Sequence, residues 1–342
     1  MISQDVNRQL IQEIFDLYLR VESEMLQQVS NSVKTNIWQE LKSDELTKLR
    51  IELQKTVKKT NIISENKIFG SIVKAYLLGF NSANMDLGLA SVKLKDINIP
   101  SSLINLIIKL KNSIIASNQT ILRRSLDVYR EVIAEVSQTV LVGTDTRLEI
   151  AQNALNKFAN NGITSFVDKS GRRWEMASYT EMATRTATGR ASIQGHIDRQ
   201  IEQKRDLVIV SDHRGECELC RPFEGKILSL TGATIGYMTL NDARAQGLFH
   251  PNCRHTITGY VQGLTKIEKS ESDPNIYKTE KRQREIERQI RKWKRRLDTS
   301  ITAKETNLSK SKIKEWQQLQ RDLLENTDLR RKYNRESINV AR

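Results

Sequence analysis

Aromatic residues make up only 6% of this 342-residue sequence, and apolar residues as a whole 38%, less than an ordinary globular domain carries. A chain of this length can fill two or three domains around a sizeable core, so the shortfall predicts elongated helices, or packing completed on a partner. Long hydrophobic runs are missing too. The best, Leu103 to Leu110, is short and contains Asn105 and Lys109, which excludes it as a membrane span. The opening Met1-Ile2-Ser3-Gln4-Asp5 has neither the basic region nor the apolar stretch of a secretory signal. A reducing cytosol, or a particle assembled there, is the expected setting. Acidic charge is also in short supply: 41 Asp and Glu against 55 Lys and Arg leave a net charge of +14 and a pI near 9.6. That balance predicts attraction to a polyanion, whether nucleic acid, an acidic protein surface or anionic lipid.

Cysteine is scarce, and its placement carries the chemistry. All three cysteines fall in one stretch with two histidines, as Cys217-x-x-Cys220 and His250-Pro-Asn-Cys253-Arg-His255. Two thiols three residues apart grip one ion from both sides of a tight turn, and His250 with Cys253 repeats that spacing from a second turn. Four such ligands make a closed tetrahedral set that suits structural Zn²⁺ better than catalysis, because no position is left for water. His250 fits the knuckle spacing. His255, two residues past Cys253, and His213, four before Cys217, stay open as the fourth ligand. A redox pair at Cys217 and Cys220 calls for a helix start after a strand, whereas Pro222 and Gly225 argue for a turn. A structural disulfide leaves one thiol over, in a chain with no export signal.

Along the chain, Val6, Leu10, Ile14, Leu17, Val21 and Met25 recur at helical spacing. A second helix is expected after Ser43, a third around Ile68 to Phe80 before a looser stretch from Gly79 to Gly88, and two more over 101–117 and 121–140, the first opened by Pro100. Thr144-Asp145 opens a helix over 147–160. A hairpin follows, with strands at Ile163 to Val167 and Arg172 to Met176, then a helix from Ser178 to about Lys204. Strands are expected at 206–210, 226–230 and 256–260, with a helical turn at 241–246. Past a linker at 270–274, Tyr277 to Leu297 forms a basic helix, with Glu287 one turn from Arg291, and Trp316, Leu319 and Leu323 mark another after a polar break from Thr299 to Lys312. The expected fold is mainly α with a small zinc-stabilised α+β centre. It divides as a helical region 1–143, an α+β domain 144–265 with the metal site, and a basic helical hairpin in 266–342. The basic face reads equally as solvated helix surface and as a phosphate-contacting one.

Four segments carry a resemblance: Tyr179 to Arg190, Gly195 to Arg199, Val208 to Lys226 and Leu248 to His255. Together with the basic helix around Arg284, Arg288, Lys292, Trp293 and Lys294, they resemble the phage minor capsid protein 2 family, related to Mu-type head morphogenesis proteins, from about residue 140 onward. The resemblance implies a structural rather than enzymatic protein of a tailed phage. It implies a place in the virion near the portal vertex, the portal and major capsid proteins as partners, packaged double-stranded DNA held through sequence-blind phosphate contacts, and no membrane role. It also places the family's cysteine and histidine elements on Cys217, Cys220, His250, Cys253 and His255, and its Arg-Thr element on Arg185 and Thr186. Two enzymatic alternatives are a metal-dependent nuclease built on Asp212, His213 and His250, and an ADP-ribosyltransferase-like enzyme built on Arg185. The nuclease requires an open coordination position that the thiols would fill.

Overall fold

The computed structural model describes residues 4–35, 43–142, 146–161, 165–168, 171–212, 218–251, 253–265 and 273–338. In chain order these form α1 (Gln4–Thr35), α2 (Ser43–Asp86), α3 (Ser101–Val142), α4 (Arg147–Asn161), β1 (Ser165–Val167), β2 (Arg173–Glu175) and α5 (Met176–Glu202). Then follow β3 (Leu207–Val210), β4 (Ile227–Ser229), α6 (Leu240–Ala245), β5 (Ile257–Gly259), α7 (Pro274–Asp298), α8 (Ala303–Glu325) and α9 (Tyr333–Glu336). The mainly helical class is as expected, with the strands confined to a hairpin and one small sheet.

The expected breaks inside the long helices are absent. The second and third helices are one, α2, and the pair beyond Pro100 is also one, α3. Gly79 does not loosen α2. A methyl group there would collide with the backbone carbonyl of Ser192 on α5, and one at Gly195 would collide with the carbonyl of Tyr76 on α2. A glycine inside a helix costs about 1 kcal/mol relative to alanine, and here that cost permits backbone-to-backbone packing. The α4 cap is Thr146: its hydroxyl accepts the Glu149 N–H while the Glu149 carboxylate accepts the Thr146 N–H, a capping box. The expected opener, Thr144-Asp145, lies outside the described residues.

The chain packs as two compact units, each drawn from three separate stretches. One comprises Met1–Ile14, Glu65–Asn112 and Glu181–Lys278; the other comprises Phe15–Ser64, Ser113–Thr180 and Thr279–Arg342. The first unit holds the antiparallel sheet β4-β3-β5, with Val208 opposite Leu228 on one side and Gly259 on the other. Val208 and Val210 point to the buried face and share a core with Ile193 and Ile197 of α5, Phe223, Leu228 and Leu248. Asp86, at the end of α2, accepts the Gly259 N–H at 2.8 Å and lies 3.5 Å from the His196 ring. Burial pushes His196 down to about 4 and raises Asp86, so the imidazole is neutral at pH 7 and the contact is not an ion pair.

The second unit takes α1 from Phe15 on, where Leu17, Val21 and Met25 of the helical stripe are buried as their spacing predicts. Phe15, Tyr18 and Leu19 are buried as well, so the helix is covered on more than one face. α7 and α8 form the expected hairpin: Arg296 makes two 2.8 Å hydrogen bonds to Glu305, and Arg282 lies 6.0 Å over the Trp316 ring. The polar break is shorter than expected. Thr302 caps α8, and Gln152 of α4 accepts the N–H groups of Ile301 and Thr302.

The basic helix does not divide simply into solvent or phosphate contacts. Arg291 and Arg295 are 1% and 6% exposed. Arg295 reaches Glu175 at 2.9 Å and Glu22 at 3.4 Å, and Arg291 reaches Glu175 at 3.4 Å and the Arg335 carbonyl at 2.6 Å. Glu287 pairs with Arg335 at 2.7 Å rather than with Arg291; the α9 segment, absent from the sequence expectation, delivers that partner. Burial pushes Glu22 up to about 7 against the pull of Arg295. Burial opposes the Glu175 carboxylate too, but Arg295 and Arg291 outweigh it and hold it down to about 2.

Leaving one member of such a cluster buried without its partner costs about 3–5 kcal/mol. Arg295→Met is therefore expected to lower the urea unfolding free energy by that order, with Glu22→Gln in the same chain restoring part of it. Because Glu22 is raised from 4.5 to about 7, the folded chain keeps a proton that the unfolded chain releases, and this group's contribution to stability falls as pH rises across that window. Unfolding curves at pH 5 and pH 7.5 should show Glu22→Gln flattening that part of the pH dependence; identical slopes in both chains contradict the assignment.

Candidate metal centre

The strand order of the small sheet brings the two cysteine turns together. β3 ends at Val210, whose sheet partner Ile257 begins β5, and its neighbour Ile209 pairs with Ile227, which begins β4. The turn between β3 and β4 and the turn before β5 therefore sit at the same edge. The first turn is tight: after Cys220 a single 3-10 turn, Arg221–Phe223, carries Pro222, and the Phe223 N–H returns to the Cys220 carbonyl. Gly225, with φ +66°, then donates its N–H to Val210 and turns the chain into β4. In the second turn the Cys253 N–H returns to the His250 carbonyl at 2.9 Å. Phe249 just before it has φ +61°, a left-handed conformation that costs a residue with a side chain about 1–2 kcal/mol.

These turns bring Cys220, His250 and Cys253 into one group, with their ligand atoms all within 4.8 Å of one another. The two sulfurs are 3.5 Å apart and both are free thiols. A tetrahedral zinc with Zn–S bonds near 2.3 Å holds two sulfurs about 3.8 Å apart, so the spacing fits one shared ion. His250 Nδ1 donates to the Pro251 carbonyl at 2.8 Å, which makes Nε2 the ring nitrogen whose lone pair could reach a metal. A hydrogen bond with Cys220 does most to pull the Cys253 thiol down to about 4; burial opposes it, and His255 adds to the pull. Thiolate is the form that binds metal.

His255 stands beside this group. Its Nδ1 is 3.4 Å from the Cys253 sulfur, its backbone N–H also points at that sulfur, and its Nε2 is 2.6 Å from Glu224. Burial disfavours its charged form, but the bonds to Cys253 and Glu224 outweigh that and raise its pKa. Both ring nitrogens are engaged, and the Glu224 carboxylate fixes the orientation of a ring that lies against the Cys253 sulfur. Sequence spacing carries no signal for Glu224, which lies far from His255 along the chain. Cys217 and His213 lie outside the described residues. Asp212 is not part of the Cys-His-Cys group. Arg185 pairs with Glu181 one turn back on α5, and the Thr186 hydroxyl bonds to the Met182 carbonyl.

The profile of the phage minor capsid protein 2 family matches residues 3–325. The chain belongs to that family. The match takes in the N-terminal helices as well as the region from residue 140 that carried the resemblance. A relative described as a structural protein of Lactococcus phage LL-H is 29% identical over 235 residues, 64% of this chain and 63% of the relative. The chain thus spans 63% of the length of that relative. No solved structure matches. Membership of a phage minor capsid family implies a place in the virion, and among the described residues no helix is long and apolar enough to cross a membrane.

Elemental analysis of the purified chain is expected to find one bound transition-metal ion per molecule. Cys220→Ser and Cys253→Ser should each lose it. His255→Gln should keep it with affinity reduced about 10–100-fold, as removal of an orienting partner does. A fully folded wild type free of metal contradicts this reading.

Proposed function

We propose that this chain is a non-enzymatic minor capsid protein of a tailed phage, seated at the portal vertex. There it joins the portal and major capsid proteins and contacts packaged double-stranded DNA during head assembly and DNA packaging or delivery. The observation that carries the proposal is family membership over nearly the whole chain. The distribution of charge supports the DNA contact. Arg291, Arg295, Arg296, Arg331 and Arg335 are each matched to a carboxylate, so pairs of this kind contribute nothing to the net +14. The surplus rests on other side chains, among them the exposed Lys281, Arg288, Lys304, Lys310 and Lys314 of α7 and α8. Such side chains make phosphate contacts that are blind to sequence and weaken with salt, as suits a genome of arbitrary sequence.

In the same reading Cys220, His250 and Cys253, with Cys217 as fourth ligand, hold a structural Zn²⁺, and His255 backed by Glu224 orients Cys253. Zinc bound there supplies folding free energy to the two turns that carry its ligands.

Co-expression with the cognate portal protein tests the role. The portal is expected to retain this chain on affinity purification, and a chain lacking residues 273–338 should bind duplex DNA with a shallower salt dependence than the full chain. If neither portal nor major capsid protein retains it, the placement at the vertex is wrong.

A further inference from the structure

The unit that carries the metal centre also contains a cavity of about 440 Å³, with His250 in its lining. That volume lies within the range of small-molecule sites. Leu103 and Leu106 of α3, Ile193 of α5 and Leu248 give it an apolar wall. Arg190 of α5 and Arg244 of α6 stand on the same lining, with the Ser102 hydroxyl. The two guanidiniums have like charge and are close enough to act on each other: apolar surroundings first, and Arg190 second, hold Arg244 below its ordinary range. Among the described residues no carboxylate pairs with either, in contrast to the matched arginines of the other unit. Arg244 is held in place by lying 6.0 Å over the Phe249 ring.

Arg190 and Arg244 are solvent-exposed on the lining of this cavity, and two guanidiniums on one lining offer an anion that enters it two forks at once. One carboxylate satisfies one guanidinium fork. A phosphomonoester carries about −1.5 to −2 charge at pH 7 and three acceptor oxygens, which matches two arginines and a hydroxyl. Duplex DNA does not meet this description, since its internal phosphates are singly charged diesters on a convex backbone. We propose that this cavity binds a phosphomonoester, with Arg190 and Arg244 clamping the phosphate and the apolar wall receiving the body attached to it. A free nucleotide and the 5′-phosphate end of a DNA strand both present that chemistry. The site is independent of the role at the portal vertex.

Calorimetric titration of the full chain tests this with a nucleoside 5′-monophosphate, the matching nucleoside, inorganic phosphate, succinate, and a short single-stranded oligonucleotide with and without its 5′-phosphate. The monophosphate is expected to bind, more tightly than inorganic phosphate, and the nucleoside to fail. Arg190→Gln and Arg244→Gln should each weaken binding at least about tenfold, while Arg190→Gln keeps the wild-type melting temperature and metal content. Oligonucleotide binding that requires the 5′-phosphate assigns the strand end, and nucleotide binding without it assigns the free nucleotide. Equal binding of nucleoside or succinate, equal binding of inorganic phosphate, unchanged affinity in Arg190→Gln, or no binding by the wild type at millimolar concentration each overturns the proposal.

Discussion

The unit that carries the Cys-His-Cys group depends on a place where two backbones touch. At Gly79 and Gly195 helices α2 and α5 approach too closely for any side chain, and that approach fixes what each helix can reach. The end of α2 then lies where Asp86 meets His196 of α5 and the Gly259 N–H of β5. α5 in turn offers Ile193 and Ile197 to the buried face of the sheet. Once β3 is seated between β4 and β5, antiparallel pairing leaves no choice about the connections: the turn leaving β3 and the turn entering β5 share one edge. Cys220 and Cys253 are thus brought to 3.5 Å by topology, and the Glu224–His255 contact ties the two segments together beside them.

Much of this was legible in the sequence, and what was not has a common cause. Helical periodicity is a local signal, so the buried stripe of α1, the span of α4 and the short strands around the cysteines could all be read from neighbouring residues. Gly79 was read as loosening a helix because a glycine has the same local meaning whether it ends a helix or admits another backbone; Ser192, which decides the matter, is far away along the chain. The same limit hid Glu224 behind His255 and placed Glu287 opposite Arg291, where four-residue spacing suggested a partner and α9 supplied a different one. The Cys-His-Cys group is legible in the sequence because two short turns repeat one spacing. Which histidine joins the thiols depends on the orientation of each ring, and the Pro251 carbonyl and Glu224 set that orientation only in the folded chain.

The arginines show how composition can mislead about a surface. A helix as basic as α7 suggests an outer face, yet Arg291 and Arg295 are among the most buried side chains of their unit, held against Glu22 and Glu175. Replacing such a cluster by well-packed apolar side chains often costs nothing, so its presence does not argue for extra stability. Its effect is positional: the two arginines meet carboxylates from α1 and β2 only in one arrangement of those elements with α7. The environment also divides the carboxylates. Burial, with the neighbouring Glu175 charge adding to it, outweighs Arg295 and Arg291 at Glu22 and pushes it up to about 7, while at Glu175 the direct contacts of both arginines win and hold it to about 2. Near neutral pH the cluster therefore holds a firmly ionised carboxylate beside one close to its titration point, so a modest change in pH alters the charge that Arg295 faces without disturbing Glu175. The two arginines of the cavity, Arg190 and Arg244, differ in both respects: they are exposed, and among the described residues no carboxylate pairs with them, so solvent rather than a fixed partner carries their charge and an incoming anion displaces only water.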